Sequence, residues 1–188
     1  MLVYLVRHGE SVTNVSRIWT GWGDVKLTEK GKKDAKLAKA YLKNISFDKV
    51  FSSDLARAMQ TAKIVLPGYA IEKKKDLREI NVGWLSGRPY DCLSTEERSQ
   101  TAQIGFAQYG GESREEMNRR ISDFMKELES LDCEKVAMFS HAGWLRGMLD
   151  IVTGIKQPRN KIQCNNCAIS IYEYEKGTWK LLSWINPM

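Results

Sequence analysis

The sequence predicts an α/β fold with a mixed, mostly parallel sheet, and two of its features indicate this class. Six strand-like runs alternate with helix-like segments over the first two-thirds of the chain, as in layered α/β domains. The last two runs flank a Glu-Lys-Gly-Thr turn and predict an antiparallel hairpin. The runs span residues 2–6, 49–52, 70–73, 135–140, 168–174 and 179–184. Because no repeat, low-complexity tract or linker interrupts the 188 residues, we expect a single domain, 1–188.

Four helices are indicated by capping residues and apolar stripes. Thr28 can cap the first helix, and either Ser53 or Asp54 the second. The third begins with an S-x-x-E capping box and the fourth directly after His141, each followed by apolar residues at helical spacing. The box is Ser113 with Glu116, and the stripes are Met117, Ile121, Phe124, Leu128 and Leu131, then Leu145, Met148, Leu149 and Val152. Residues 87–110 are patterned more weakly, with helical character over 95–109, and we expect a lid or rim there.

Composition and charge limit the class of protein. A hydrophobic content of 43% with 28% charged residues is ordinary for a soluble globular chain. The net charge of +6 comes largely from lysines, and many of these lie along one face of the first predicted helix, which is then its solvated face. We therefore expect no nucleic-acid partner. The apolar start, residues 1–6, is too short for a signal peptide or a membrane span, so a cytoplasmic protein without a membrane partner is expected.

The four cysteines are expected to be free thiols rather than a disulfide framework. Cys164 and Cys167 have CxxC spacing, but a redox pair should open a helix, whereas this pair precedes a strand-like run. A zinc site would need further ligands nearby. The pattern therefore disfavours a redox or metal role for the pair.

The chain has two histidines, and each follows a strand-like run at a glycine-containing turn. His8 lies in Arg-His-Gly after the first run, where Gly9 would let the backbone approach a ligand, and His141 lies in Ser-His-Ala-Gly. Ligands of open α/β sheets bind in the crevice at the carboxyl ends of the strands. We therefore expect both imidazoles to belong to one site.

Two arginines are expected beside these histidines. Arg7 precedes His8, and Arg57 lies in the first turn of the second helix, where unpaired N–H groups also favour an anion. A guanidinium offers a planar fork of donors that suits an oxyanion and repels a metal ion. Convergence of these four groups predicts a phosphate pocket, although Arg57 considered alone is better explained as a surface arginine paired with an acidic neighbour.

Such a pocket contains the groups that phosphoryl transfer needs. A neutral imidazole, expected at His8, can attack phosphorus, while a protonated one, expected at His141, neutralises the oxygens of the transferred group. Glu79 follows the third run and is a candidate general acid, because the like charge of a bound phosphate would keep its carboxyl protonated. The alternative for Glu79 is a surface ion pair with Arg78.

Ordered blocks along essentially the whole chain resemble the histidine phosphatase superfamily, also called phosphoglycerate mutase-like. The blocks are Leu5-Val6-Arg7-His8-Gly9-Glu10-Ser11 with Asn14, Leu27-Thr28 with Gly31, Ser53-Asp54-Leu55 with Arg57-Ala58 and Gln60-Thr61-Ala62, Glu79-Ile80 with Gly83, Gly110-Gly111-Glu112-Ser113, and Ser140-His141-Ala142-Gly143. Several blocks in one order are far more specific than Arg-His-Gly alone. The resemblance implies a three-layer α/β/α sandwich and catalysis through a phosphohistidine, without metal or cofactor.

The resemblance also implies roles for individual residues. His8 would be the nucleophile and Glu79 the proton donor. The phosphate and substrate contacts would come from Arg7, Asn14, Gly21, Arg57, His141 and Ala142.

Two departures from the family pattern favour a phosphatase over a mutase. The mutases usually have Gln-Gly where this chain has Thr20-Gly21, and they carry a long insertion between the catalytic glutamate and the Gly-Gly-Glu-Ser block. Here Glu79 and Gly111 are only 32 positions apart, which leaves little chain to shield a phosphoenzyme from water. We expect hydrolysis of a small phosphorylated metabolite, as in small bacterial phosphatases such as α-ribazole phosphatase. A phosphoglycerate mutase and a non-catalytic binder of phosphorylated ligands are the alternatives.

Four tryptophans lie in or near the strand-end loops: Trp19, Trp22, Trp84 and Trp144. They could form an apolar wall for the leaving group or pack the loops onto the core. The sequence leaves this choice open, together with the natural substrate and the oligomeric state.

Overall fold

A computed structural model describes residues 1–155 and 162–187, and its six strands form one mixed sheet in the order β3-β2-β4-β1-β5-β6. The strands are β1 (Leu2–Arg7), β2 (Lys49–Ser53), β3 (Ile71–Lys74), β4 (Lys135–Ser140), β5 (Ile169–Glu175) and β6 (Thr178–Ile185). The first four strands are mutually parallel, whereas β5 is antiparallel to both β1 and β6. The predicted mixed sheet and terminal hairpin are confirmed, with every predicted strand end within one residue of the observed one.

Helices cover both faces of this sheet. They are α1 (Val12–Val15), α2 (Glu29–Leu42), α3 (Ala56–Val65), α4 (Thr95–Ile104), α5 (Arg114–Glu129) and α6 (Ala142–Thr153). Apolar residues of α2 and α3 form one core with the sheet, and those of α5 and α6 form another on the opposite face. The arrangement is the three-layer α/β/α sandwich implied by the family resemblance. No helix within the described residues has the length and apolar character needed to cross a membrane.

The predicted starts of three helices are confirmed. Thr28 Oγ1 accepts a hydrogen bond from the Gly31 amide at 2.9 Å at the start of α2. The Ser113 and Glu116 capping box is present at α5, and α6 begins immediately after His141. These ends depend on local hydrogen bonds, which is why sequence spacing alone predicts them.

The predicted cap of the second helix is wrong. Helix α3 starts after Leu55, which provides no side-chain cap. Ser53 Oγ lies 2.9 Å from His141 Nε2, and Arg78 Nε donates to Asp54 Oδ1 at 2.7 Å, so both proposed caps have tertiary partners instead. The residues that resemble a cap therefore belong to the edge of the sheet where the strands end.

Residues 87–110 contain the short helix α4 and two 3-10 turns rather than one helix over 95–109. Gly105, with φ of 89°, ends α4 in a backbone conformation that favours glycine. The segment contacts the body of the protein through aromatic rings: Trp19 lies 4.6 Å from Tyr90 and 5.3 Å from Phe106 between ring centroids.

Strand register places three chain segments at one edge of the sheet. Arg7 is paired with Ser140, and Ser52 with Phe139, so β1, β4 and β2 end at the same level. The His8 amide continues this pairing by donating to the Ser140 carbonyl at 2.9 Å. The residues that follow these strands are therefore brought together by the sheet itself.

Candidate active site

His8 and His141 lie side by side at the carboxyl edge of the sheet. Their ring centroids are 5.1 Å apart, and the ring planes are tilted by 59°. Both side chains are deeply buried, with 4% and 0% of their surface exposed. The structure thus brings the two imidazoles together as expected, but deeper than their positions in strand-end turns indicate.

The hydrogen bond of His8 defines its tautomer. Nδ1 lies 2.7 Å from the carbonyl oxygen of Gly9, and because a carbonyl only accepts, Nδ1 carries the proton. The pKa of His8 is well below its ordinary value because burial, and then the charges of Arg57 and Arg7, disfavour the imidazolium; the Gly9 bond opposes them. His8 is therefore neutral at pH 7, with its lone pair on Nε2.

The expectation that His141 is protonated is wrong for the protein without a bound anion. Burial, followed by the charges of Arg57 and His8, holds the pKa of His141 well below its ordinary value. Its Nε2 lies 2.9 Å from Ser53 Oγ, while Nδ1 is buried without a hydrogen-bond partner in the described part of the chain. His141 is thus a neutral, half-satisfied imidazole at pH 7.

Arg7 and Arg57 both lie beside this histidine pair. Arg7 donates from Nη1 to the Cys164 carbonyl, and its buried Nε has no hydrogen-bond partner among residues 1–155 and 162–187. Arg57 is buried and donates from Nη1 to the Gly23 carbonyl and from Nη2 to the Gly21 carbonyl, each at 2.8 Å. Burial lowers the pKa of Arg57 to about 10, which leaves the guanidinium charged at neutral pH.

Packing against α2 also requires glycine at position 9, in addition to the close approach of a ligand expected from the sequence. A Cβ atom on Gly9 would lie 2.5 Å from the carbonyl oxygen of Gly31 in α2. The Gly9 amide also donates to Thr61 Oγ1 at 3.0 Å, and that hydroxyl donates to the Arg57 carbonyl at 2.7 Å. Helices α2 and α3 together therefore fix the turn that presents His8.

Glu79 contacts the N-terminus of α6 next to His141. Its Oε1 accepts hydrogen bonds from the Ile80 amide at 2.9 Å and the Gly143 amide at 3.1 Å, and Oε2 lies 3.2 Å from the same Gly143 amide. The alternative of an ion pair with Arg78 does not occur, because Arg78 binds Asp54 through a two-point contact. The carboxylate is thus directed into the site by backbone donors.

A second arginine network that the sequence reasoning missed supports the Glu79 segment. Arg120 on α5 donates to both carboxylate oxygens of Glu112 at 2.9 Å. Its remaining N–H groups bind three backbone carbonyls at and just before Glu79, those of Asp76 at 2.6 Å, Arg78 at 2.9 Å and Glu79 at 3.4 Å. Glu112 lies in the Gly-Gly-Glu-Ser block, but only the folded structure reveals its partner.

The remaining predicted contacts lie around the same edge of the sheet. Asn14 Oδ1 accepts from the Ser11 amide at 3.0 Å and from Asn166 Nδ2 at 3.3 Å, and Asn166 also donates to the His8 carbonyl at 3.1 Å. Gly21 is buried with φ of 48°, and Ala142 is the half-buried first residue of α6. No sequence motif predicts this role for Asn166, which lies between the two cysteines of the CxxC segment.

The tryptophans differ in their surroundings. Trp144 is fully buried and donates to the Asp76 carbonyl at 2.8 Å, so it belongs to the core and not to a ligand wall. Trp22 is partly exposed and donates to the Glu79 carbonyl at 2.7 Å, whereas Trp84 is exposed and packs under Arg88. Trp22 therefore contacts the Glu79 segment directly, while Trp19 packs beside Tyr90.

The cysteines are free thiols, and two of them are buried behind the site. Burial raises the pKa of Cys164, and that of Cys167 to about 12, so neither is a thiolate at neutral pH.

Comparisons with known proteins give the family. A sequence profile of the histidine phosphatase superfamily (branch 1) matches residues 3–187. This chain belongs to the histidine phosphatase superfamily. It is therefore an enzyme of the histidine phosphatase type, a superfamily of phosphatases and mutases. A Yersinia pestis (strain Pestoides F) protein named "Probable phosphoglycerate mutase GpmB" is 33% identical over 192 residues, covering 97% of this chain and 89% of that protein.

Solved structures of the superfamily have the same architecture. YhfR of Bacillus stearothermophilus is 26% identical, with a TM-score of 0.85 over 96% of this chain and 94% of YhfR. The α-ribazole phosphatase of Shigella flexneri has a TM-score of 0.84 at 24% identity, over 97% and 95% of the two chains, a likeness that shows the fold alone.

Proposed function

We propose that this histidine phosphatase superfamily member hydrolyses a small phosphomonoester through a phosphohistidine formed on Nε2 of His8. The hydrogen bond from His8 Nδ1 to the Gly9 carbonyl carries the proposal, because it leaves a neutral imidazole with its lone pair on the opposite nitrogen. The neighbouring charges of Arg7 and Arg57 supply the attraction for a phosphate dianion.

In the first half-reaction His8 Nε2 attacks phosphorus, forming the N–P bond as the bond from phosphorus to the leaving oxygen breaks. Glu79 donates the proton that the leaving oxygen needs to depart as an alcohol. Oε2 is the carboxyl oxygen with only one long hydrogen bond, so it is the atom we assign to carry that proton. Negative charge on the bound phosphate favours the protonated carboxyl.

In the second half-reaction Glu79, now a carboxylate, accepts a proton from water as the water oxygen attacks phosphorus. The N–P bond breaks, inorganic phosphate forms, and His8 returns to its neutral state. Arg7 Nε and His141 Nδ1 are both buried without a hydrogen-bond partner in the described part of the chain, and they are the donors we assign to the phosphate oxygens. Arg57, Asn14, Gly21 and Ala142 complete the proposed binding set.

Hydrolysis is favoured over isomerisation by the chain between Glu79 and Gly111. In the structure this stretch contains only α4 and short 3-10 turns, which leaves little cover to keep water from a phosphoenzyme. The relative named as a mutase and the structural neighbours named as phosphatases do not distinguish the two activities. A small phosphorylated metabolite is the proposed partner.

The experiment offers the purified protein a panel of phosphomonoesters and follows both inorganic phosphate and isomerised product by phosphorus NMR. We expect phosphate release that does not depend on 2,3-bisphosphoglycerate. Conversion of 3-phosphoglycerate to 2-phosphoglycerate that requires 2,3-bisphosphoglycerate and exceeds phosphate release would establish the mutase instead.

A further inference from the structure

A cavity of about 250 Å³ opens where the chain after α1 meets the segment after the Glu79 region. It is lined by Ser16, Arg17, Pro89, Tyr90, Asp91 and Arg98. Three backbone hydrogen bonds of 2.8 Å hold the two segments together: from the Tyr90 amide to the Arg17 carbonyl, from the Trp19 amide to the Arg88 carbonyl, and from the Gly87 amide to the Trp19 carbonyl. The walls of the cavity are therefore fixed by backbone hydrogen bonds between the two segments.

Tyr90 places this cavity next to the catalytic groups. Its ring packs on Trp19, with 4.6 Å between ring centroids. Burial raises the pKa of the Tyr90 phenol; the negative charge of Glu79 adds to the effect, and the positive charges of Arg7, Arg17 and Arg57 oppose it. The Arg17 amide also donates to the Asn14 carbonyl at 3.4 Å, and Trp19 is followed two positions later by Gly21, whose carbonyl accepts a hydrogen bond from Arg57 Nη2. The cavity therefore adjoins the two chain segments that carry Asn14 and Gly21.

The two arginines of the cavity differ in the number of hydrogen bonds that their side chains make. Arg98 donates to the Tyr90 carbonyl at 3.1 Å, to the Leu93 carbonyl and to Thr95 Oγ1 at 3.0 Å, so it holds the cavity wall. The exposed Arg17 guanidinium has neither a hydrogen bond nor an ion pair with the residues that the structure describes, 1–155 and 162–187. Arg17 also occupies a backbone conformation, φ 52°, that favours glycine.

We propose that this cavity binds a second anionic group, a carboxylate or a phosphate, on the leaving side of the substrate. Arg17 contributes the charge-assisted hydrogen bonds, and the Tyr90 hydroxyl contributes a donor between this group and the reacting phosphate. Asp91, the one carboxylate in the lining, is exposed and by itself favours a cation, but Arg17 and Arg98 leave the lining with a net positive charge that favours an anion. The inference rests on the proposed phosphatase function and narrows its substrate class to phosphomonoesters with an anionic leaving group.

The test compares esters that differ in this second anion. The kcat/KM values are measured for 3-phosphoglycerate, which has a carboxylate, fructose 1,6-bisphosphate, which has a second phosphate, and glycerol 3-phosphate, which has neither. The preference is the ratio of kcat/KM for the better anionic ester to kcat/KM for glycerol 3-phosphate. We expect Arg17→Gln to lower this ratio about 10- to 100-fold. Arg119→Gln, at an exposed arginine of α5, is the matched control and should keep the preference.

A second arm does not depend on turnover. Calorimetry measures binding of the same three esters to His8→Asn protein with and without Arg17→Gln, and we expect the second substitution to remove the tighter binding of the anionic ester. Equal effects of Arg17→Gln on all three esters, or none, would overturn the cavity assignment even if phosphate release is rapid. Conversely, an Arg17-dependent binding preference in a protein that releases phosphate from no ester of the wider panel would support the cavity and refute the phosphatase.

Discussion

The Gly143 amide lies within hydrogen-bond distance of both carboxylate oxygens of Glu79, at 3.1 Å and 3.2 Å. Helix α6, which begins directly after His141, thereby holds the proposed general acid by its own N-terminus. His141, the proposed phosphate ligand, and Glu79, the proposed acid, are thus positioned by one element. A change at that helix end should affect proton donation more than phosphate binding.

Replacing Gly143 with alanine should separate these two roles. A Cβ atom there would lie 2.1 Å from Glu79 Oε1, so the carboxylate must move. We expect kcat for an alkyl phosphate to fall roughly 10²-fold, as when a general acid is misplaced. Inhibition by inorganic phosphate should change little, and circular dichroism should show the native fold, because alanine is the better helix former. In a Glu79→Ala background Gly143→Ala should add almost nothing; fully additive losses would show that the glycine acts elsewhere.

Arg120 is expected to act on catalysis through the backbone that presents Glu79. Arg120→Lys keeps the charge but loses the fork that joins Glu112 to the Asp76 and Arg78 carbonyls, at a cost of about 3 kcal/mol in the free energy of unfolding. We expect kcat to fall more for glycerol 3-phosphate than for p-nitrophenyl phosphate, whose leaving group needs no proton. An equal loss on both esters would mean that the network only stabilises the fold.

The two buried histidines should make the protein acid-sensitive well above the range in which carboxylates titrate. Their folded-state pKa values are depressed, so below about pH 6.5 the unfolded chain binds protons that the folded chain does not. Stability is therefore retained above that pH and lost as the pH falls, by up to about 2.7 kcal/mol per pH unit for two protons. Urea unfolding between pH 7.5 and 5 measures the slope, and His141→Gln should reduce it by about half. A pH-independent free energy of unfolding over this range would contradict the buried neutral imidazoles.

Binding of phosphate should draw a proton into the site. The pKa of His141 is lowered by burial and by neighbouring positive charge, and an added dianion opposes the second of these causes. We expect uptake of up to one proton per phosphate at neutral pH, seen as a dependence of the calorimetric binding enthalpy on the ionisation enthalpy of the buffer. Because the same dianion favours a protonated Glu79, the share of His141 is the uptake that His141→Gln removes in a Glu79→Gln background. Uptake that is unchanged by His141→Gln in that background would show that this histidine stays neutral.

The sequence predicted those parts of the fold that depend on local pattern. Strand ends, the Thr28 cap and the capping box at Ser113 follow from alternation and short-range hydrogen bonds, and all three are observed. The cap of α3 failed because Ser53 and Asp54 obtain long-range partners, which no local rule contains. The same holds for Arg120, since its acceptors are brought together only by the packing of α5 against the Glu79 segment.

For the two histidines, too, the sequence predicts the position but not the charge state. That His8 and His141 would meet was predictable, because both follow strands that end at one edge of a sheet. Which nitrogen of His8 carries the proton depends on the direction of the Gly9 carbonyl, and the neutrality of His141 depends on its full burial. Both are properties of the folded environment.

Isolation of the phosphoenzyme tests the central proposal most directly. The protein is mixed with a phosphoester carrying labelled phosphate, quenched within milliseconds without acid, digested with trypsin and mapped by mass spectrometry. We predict an acid-labile, alkali-stable label on the peptide that begins at His8 after cleavage at Arg7, absent in His8→Asn and retained, at lower yield, in His141→Gln. Label on any other residue, or rapid turnover by His8→Asn, would contradict the phosphohistidine mechanism.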